Sequence, residues 1–306
     1  SLRGEQTMKQ SSSPAIPFSM ATLGVALFAL MDAVMKGLAM DMGAYNAMFW
    51  RGCCSMVLVL LLYTWKRPAL PAPAVIRLHL RRGVVIAATA FLFFWGLVYV
   101  PLAEAIALSF IAPLFALYLA ALLLGESVGR RAVAASLIGF VGALVVVFGQ
   151  FSGDYDEKVF AGMGAILMSA MLYAYNLILQ RQQALLAGPV EISVFQTTVI
   201  FLVYLALAPF LAQPPAVALF PELLLAAGLS MISLMLLSWA YARAEARILI
   251  PVEYTAFIWA GLLGWMMYQE QLSSTSLLGT ALIVMGCLLA ASQRPARVEH
   301  VETTAL

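Results

Sequence analysis

Long apolar runs recur along the whole chain, separated by short stretches that hold Pro, Gly or charged residues. The hydrocarbon core of a bilayer is about 30 Å thick, which roughly 20 residues of α-helix cross at 1.5 Å per residue. Runs of about this length predict ten transmembrane helices, at residues 17–38, 44–64, 83–100, 103–124, 132–149, 159–180, 190–212, 222–242, 247–268 and 273–291. The longest predicted connection, 65–82, is rich in Pro, Lys and Arg. We therefore expect the function to lie between the helices.

The composition agrees with this pattern. Of 306 residues, 63% are hydrophobic and 10% are charged, and the mean hydropathy is +0.95. Soluble domains carry roughly 45–50% apolar and about 25% charged residues, so soluble enzymes, nucleic-acid binders and disordered proteins are excluded. The sequence predicts an all-α membrane protein. Cys53, Cys54 and Cys287 lie inside apolar runs and are expected to be small packing residues rather than disulfide partners.

Basic residues are distributed unevenly between alternate connections. If the N-terminus is cytoplasmic, the inner segments hold all of the 17 Lys and Arg residues except Lys36, Arg51 and Lys158. Lys and Arg are enriched in cytoplasmic segments. The pattern therefore predicts a multi-pass protein of the bacterial inner (plasma) membrane, with both termini in the cytoplasm.

The chain also repeats itself at an offset of 144 residues. This shift places Trp95 on Trp239 and Glu126 on Glu270. Each half contains five predicted spans, so the second half must enter the membrane with opposite polarity, as in alternating-access transporters. We expect four segments: a tail at 1–16 (with 1–7 a remnant of cloning), a first repeat at 17–149, a second repeat at 159–291 and a tail at 292–306.

Four segments resemble the EamA family of the drug/metabolite transporter superfamily: DAVMKGLA, FWRG, PLAEAIALSFIAPLFALYLAALLLGE and PVEYTAFIWAGLLGWMMYQE. The resemblance covers nearly the whole chain as two inverted five-helix repeats. It implies a carrier of amino acids, nucleotide-like metabolites, vitamins or drugs. The first and last segments are most similar to bacterial members described as S-adenosylmethionine or riboflavin carriers. Gln269-Glu270 stands where the family pattern has Gly-Glu.

Ionisable side chains inside the spans are candidate machinery, because inserting a charge there costs at least ~2.5–3.5 kcal/mol. Asp32 and Arg51 are expected at similar depths near the outer side, with Lys36 one helical turn from Asp32. Asn176, Gln196 and Glu253 are expected to form an inner cluster related to the first. The alternatives are a structural ion pair between Asp32 and Arg51, and hydrogen bonds between Glu253 and nearby backbone.

Aromatic side chains flank these polar positions and could stack on a planar or cationic solute. The alternative is the aromatic belt that membrane proteins carry at both interfaces. The candidates are Trp95, Tyr99, Tyr175, Trp239, Tyr241, Tyr254 and Trp259.

Two other functional classes fit the sequence less well. His79 and His300 lie in the predicted 65–82 connection and the C-terminal tail, so no His, Asp or Cys cluster typical of a metal site or an acid–base enzyme is expected. A channel would favour rings of charge from symmetric subunits. The P-loop pattern Gly-x-x-x-x-Gly-Lys-Ser/Thr does not occur, so ATP is not the direct energy source. We expect a secondary transporter for a small amphipathic metabolite, without cofactor, metal or nucleic acid. It would be a monomer or weak homodimer, with proton coupling and exchange both open.

Overall fold

A computed structural model describes residues 15–66, 71–124, 130–149, 157–184, 186–241 and 252–291. Over these ranges the regular elements are helices, apart from a 3₁₀ turn at Val217–Leu219. The α-helices are α1 (Ala15–Met42), α2 (Ala44–Lys66), α3 (Pro73–Leu97), α4 (Leu102–Ser109), α5 (Ala112–Leu124), α6 (Arg130–Gly149), α7 (Glu157–Ala184), α8 (Pro189–Leu211), α9 (Phe220–Tyr241), α10 (Ala256–Tyr268) and α11 (Ser274–Ala291).

Six of these segments are long and apolar enough to cross a membrane, which confirms the expected all-helical membrane protein. They are Ile16–Met42, Ala44–Leu61, Pro73–Leu97, Glu157–Gln180, Val190–Leu211 and Val217–Leu237. Four shorter apolar segments accompany them, at Leu102–Ala116, Val133–Gly149, Ala256–Tyr268 and Ser274–Leu289.

The predicted 65–82 connection is wrong over its second half, because α3 begins at Pro73. Proline suits the first helical position, since its fixed φ is already helical and no N–H is required there. Three of the basic residues that suggested a loop, Arg77, Arg81 and Arg82, therefore lie on a helix. Among them, Arg82 is 6% exposed, and His79, which we expected in the connection, is 1% exposed.

Two predicted spans contain a break. The span at 103–124 is interrupted at Phe110–Ile111, between α4 and α5, and the span at 247–268 at Tyr254–Thr255, just before α10. Pro113 explains the first break, because it has no N–H to donate to the carbonyl one turn earlier. The breaks fall at equivalent positions of the repeat, 144 residues apart, and the rings of Phe110 and Tyr254 meet edge to face at 5.1 Å.

The two repeats pack against each other through glycines. A Cβ placed on Gly142 of α6 would lie 2.6 Å from the carbonyl oxygen of Gly279 on α11, so the two backbones are in direct contact. Further along, Gly139 faces Gly286 and Gly149 faces Thr275, which shows that α6 and α11 run antiparallel. Helices α3 and α7, and α1 and α9, also pair across the repeats. At the 144-residue offset α6 and α11 are equivalent helices, and the pair α3–α7 is equivalent to the pair α9–α1.

Candidate functional site

A buried ion pair ties α1 to two interhelical connections. Lys36 is 4% exposed, and its ammonium pairs with the carboxylate of Glu270 and donates to the carbonyl of Val100 at 2.8 Å. The other oxygen of Glu270 accepts the backbone N–H of Leu102 at 2.8 Å. The Lys36 ammonium also lies 5.4 Å from the centre of the Tyr268 ring. The pair therefore fastens the α10–α11 connection to the α3–α4 connection.

The end of α10 determines where Glu270 lies. Gln269 adopts a left-handed conformation with φ of 55°, and the N–H of Glu270 turns back to the carbonyl of Gly264 at 3.1 Å. Helices commonly end in this way, usually with Gly at the left-handed position. Gln269 takes that position here. Gly264 leaves room for the Glu270 carboxylate, because a Cβ on residue 264 would collide with a carboxylate oxygen of Glu270.

A second carboxylate lies beside this pair. Glu104, in the first turn of α4, is 1% exposed and accepts the hydroxyl of Ser276 at 2.5 Å. It also interacts electrostatically with Lys36. We call Lys36, Glu104, Tyr268, Glu270 and Ser276 the Lys36 cluster. A cavity of about 260 Å³ borders the ion pair and is also lined by Met40, Tyr99 and Pro101.

A chain of hydrogen bonds links α3, α7 and α8 in another part of the bundle. Arg82 donates through Nε to the amide oxygen of Asn176 at 3.0 Å and through Nη1 to the amide oxygen of Gln183. The Gln183 amide nitrogen donates to Nδ1 of His79, so Nε2 carries the proton of a neutral imidazole and faces Glu191 at 2.9 Å. The His79 ring stacks on Phe195 at 4.6 Å. Arg82, Asn176, Gln183, His79 and Glu191 form the Arg82 cluster.

The two clusters lie toward opposite ends of α3. Arg82 belongs to its first half, whereas Val100 and Leu102 follow its last residue, Leu97. From Arg82 to Leu97 the helix rises by about 22 Å. Two buried polar networks therefore join different sets of helices at two levels of the bundle.

Asp32 and Arg51 are placed between α1 and α2. Asp32 is 6% exposed and interacts electrostatically with Arg51, but the two do not form one of the direct ion pairs of the described residues. Arg51 contacts the sulfur of Met48 at 3.7 Å, and its Nε is buried without a hydrogen-bond partner. Of the three charges expected together, Lys36 thus pairs elsewhere, with Glu270.

The other candidate residues are more scattered than expected. Asn176 belongs to the Arg82 cluster, whereas Gln196 is half-buried on α8 and Glu253 is an exposed helical residue just before the second break. The aromatic candidates differ in their surroundings. Three of them contact another side chain: the Trp95 ring meets Tyr99 at 5.2 Å, Tyr175 lies under the Arg81 guanidinium at 5.2 Å, and Tyr254 meets Phe110 at the break. Trp259 has a buried ring nitrogen without a hydrogen-bond partner, and Trp239 is 37% exposed. The Tyr241 side chain lies outside the described residues.

Comparison with known proteins identifies the family. The EamA-like transporter family matches twice, at residues 16–148 and 160–292, so the second match begins and ends 144 residues after the first. The chain belongs to this family. The repeat offset found in the sequence is therefore the offset between two EamA domains.

Several relatives are named for a transport function. The Pseudopaline exporter CntI of Pseudomonas aeruginosa is 28% identical over 270 residues, which cover 88% of this chain and 93% of that protein. A riboflavin transporter of Rhizobium johnstonii is 30% identical over 214 residues, covering 69% and 68%. A chain of known crystal structure has the same fold, with a TM-score of 0.55 at 18% identity over 91% of this chain and 96% of that chain. The chain is thus a membrane transporter of the drug/metabolite type.

Glu270, Glu104, Arg82 and His79 were not among the expected site residues. Glu270 could have been found, because it matches Glu126 in the repeat and closes the family pattern. The sequence places it in a connection, where residues are normally solvated. Basic neighbours make the segment around Arg82 and His79 resemble a loop. Glu104 follows Pro101 at the start of a span, where an acidic residue also suits a helix N-terminus, so its burial left no distinct signal.

Proposed function

We propose that this EamA protein is a secondary active transporter that moves a small amphipathic organic metabolite, such as an amino acid or an amino-acid- or nucleoside-like compound, by alternating access. The observation that carries the proposal is the pair of polar clusters at the two levels of the bundle. Each one fastens helices of the first repeat to the second, through Lys36 and Glu270 in one case and Arg82 and Asn176 in the other. Two closures of this kind suit gates that open in turn.

The helix breaks support a binding site between the repeats. Broken helices at a repeat interface are the usual location of transporter binding sites, because the interruption frees backbone groups near the membrane midplane. Here the breaks at Phe110–Ile111 and Tyr254–Thr255 touch through their aromatic rings. Asp32, Trp95 and Trp259 are candidate contacts for the solute around this centre.

We further propose ten transmembrane helices with inverted repeats in the bacterial inner membrane and both termini in the cytoplasm. The six long and four shorter apolar segments support this number. In this orientation the Arg82 cluster is cytoplasmic and the Lys36 cluster is periplasmic. Single cysteines at positions 72 and 154, labelled in intact cells with an impermeant reagent, test the orientation. Labelling is expected at 154 alone, and equal labelling at both sites would contradict it.

Riboflavin-type uptake is the second candidate, supported by the riboflavin transporters of Rhizobium johnstonii and Vibrio cholerae, the latter 27% identical over 209 residues. The aromatic pair Trp95 and Tyr99 would suit a planar ring. A thermal-shift screen that includes flavins, S-adenosylmethionine and amino acids separates the candidates, since a ligand at 100 times its Kd stabilises the fold by about 2.7 kcal/mol.

A reversible cross-link tests alternating access. A Cβ on Gly261 of α10 would lie 4.0 Å from the Cβ of Ala103 on α4, which is within the range for a disulfide. With the native cysteines replaced, oxidised Ala103→Cys/Gly261→Cys protein in liposomes should lose saturable solute counterflow and regain it on reduction. Gly261→Cys alone is the matched control. Uncoupled conductance that persists in the oxidised protein would favour a channel.

A further inference from the structure

Each partner of the buried Lys36–Glu270 pair is also bound by another group that stabilises its charge. The Lys36 ammonium is also bound by the Val100 carbonyl at 2.8 Å and lies 5.4 Å from the Tyr268 ring centre. The Glu270 carboxylate also accepts the Leu102 N–H at 2.8 Å. The closure therefore contains a complete cation site, made of a carboxylate, a carbonyl and an aromatic face, next to a complete anion site, made of an ammonium and a backbone N–H.

Opening the bundle at the Lys36 cluster must separate Lys36 and the α3–α4 connection from Glu270 on the α10–α11 connection. The Lys36 side chain is 5% exposed and that of Glu270 is 17% exposed, so parting them strips two largely buried charges of their partners. A buried charge without a partner is strongly unfavourable. A solute that supplies one charge replaces only one partner, whereas a solute that supplies both replaces both.

We propose that the Lys36–Glu270 pair is the entry subsite for a zwitterionic solute, with an ammonium and a carboxylate on neighbouring atoms. The solute carboxylate binds the Lys36 ammonium and the Leu102 N–H, and the solute ammonium binds the Glu270 carboxylate and faces Tyr268. The solute thereby opens the mouth that the ion pair closes. This inference rests on the proposed transporter function and narrows its substrate class.

The surroundings of the pair fit such a solute. The adjoining cavity of about 260 Å³ is slightly smaller than the ~300–1,000 Å³ typical of drug-sized ligands, and Met40 and Tyr99 give it an apolar side. Glu104 adds a second buried carboxylate near Lys36. Two carboxylates beside one ammonium disfavour a solute with a further negative charge, so the subsite should select neutral zwitterions over acidic ones.

Accessibility of a buried reporter tests the proposal. Val100 is 0% exposed and lies next to the ion pair. In a protein whose native residues Cys53, Cys54 and Cys287 are replaced by Ala, the rate at which an impermeant maleimide labels Val100→Cys therefore reports opening. The probes are neutral α-amino acids, each compared with its methyl ester, which is a cation only, and its N-acetyl derivative, which is an anion only. At least one free amino acid should raise the labelling rate about tenfold, while its two derivatives leave it nearly unchanged, because a ligand shifts an equilibrium only by its differential affinity for the two states.

Two variants separate the pair from its surroundings. Lys36→Met/Glu270→Gln lacks both charges and should label quickly without solute and lose the response to amino acids. Glu104→Gln removes the second carboxylate beside Lys36, so glutamate should then raise the labelling rate. Equal responses to an amino acid and to its methyl ester or N-acetyl derivative in the parent protein would overturn the proposal, as would no response to any amino acid. Solute counterflow, measured in parallel, distinguishes the outcomes. Its absence for every solute refutes the transporter function, whereas counterflow without a zwitterion response refutes this subsite alone.

Discussion

Replacing Gly142 by Ala should weaken the contact between the two repeats, and the structure allows the size of the effect to be worked out. The added methyl group would lie 2.6 Å from the Gly279 carbonyl oxygen and 2.8 Å from the Ile283 backbone nitrogen. Both obstacles are backbone atoms of α11, so α6 and α11 must move apart. Overpacking of this kind costs about 1–3 kcal/mol, against which helix propensity returns about 0.5–1 kcal/mol for Gly to Ala.

Gly164→Ala is the matched control, because a Cβ there meets no atom within 4 Å and the residue is also helical. The propensity gain is common to both variants and cancels in the comparison. We therefore expect Gly142→Ala to be roughly 1–3 kcal/mol less stable than Gly164→Ala, measured by reversible unfolding of purified protein in mixed micelles on titration with SDS. Equal unfolding midpoints and slopes would refute the backbone contact between α6 and α11.

Three further predictions concern the polar residues. Asp32→Asn and Arg51→Gln should each slow counterflow, and the double variant should be less impaired than the sum of the two if the residues act together; strictly additive losses would indicate independent roles. Glu253→Gln keeps shape and removes charge, so it should abolish pH-driven accumulation while sparing exchange if Glu253 carries a proton, or reduce solute affinity if it binds an amine; unchanged affinity and pH dependence would leave it a structural role. Arg82→Lys replaces two directed donors by one ammonium and should lower stability by about 1–3 kcal/mol, whereas Arg81→Lys on the exposed side of α3 should cost less than 1 kcal/mol, as compared by the same SDS titration.

The helical fold and the repeat could be predicted because the signal for each extends over many residues. Apolar runs long enough to cross a bilayer must satisfy their backbone hydrogen bonds internally, because lipid offers no partners, and this favours helices. The offset that pairs Trp95 with Trp239 recurs in the two family matches. A signal repeated over more than 100 residues of each half survives errors of a few residues at helix ends.

The start of α3 and its basic residues could not be read from hydropathy. Arg77, Arg81 and Arg82 lower the local hydropathy in the same way whether they lie in a loop or on a helix. What separates them is their neighbours in space. Arg81 is exposed over Tyr175, whereas Arg82, one residue later, turns toward α7 and meets Asn176. That distinction depends on helix packing, which the sequence of α3 alone does not contain.

The partner of Lys36 could not be predicted from its neighbours in the sequence either. Spacing along α1 suggested Asp32 at i−4, but the ion pair is made with Glu270, 234 residues away. The Glu270 carboxylate reaches Lys36 because Gln269 turns the chain left-handed and Gly264 leaves room for it. The sequence contained one sign of this turn, since Gln269 stands where the family pattern has the Gly that such turns favour.

Sequence differences between the two halves also bear on the proposed alternating-access cycle. If both halves had the same sequence, the two mouths would close with the same chemistry and the outward- and inward-facing states would have equal free energies. Across the 144-residue offset, however, Asp32 and Lys36 of α1 correspond to Asn176 and Gln180 of α7. Two charged side chains of α1 thus correspond to amides of α7, and the Lys36 cluster holds an ion pair where the Arg82 cluster holds a guanidinium bonded to amide oxygens. The difference in free energy between the two states, and hence the resting orientation, must arise from positions where the halves differ.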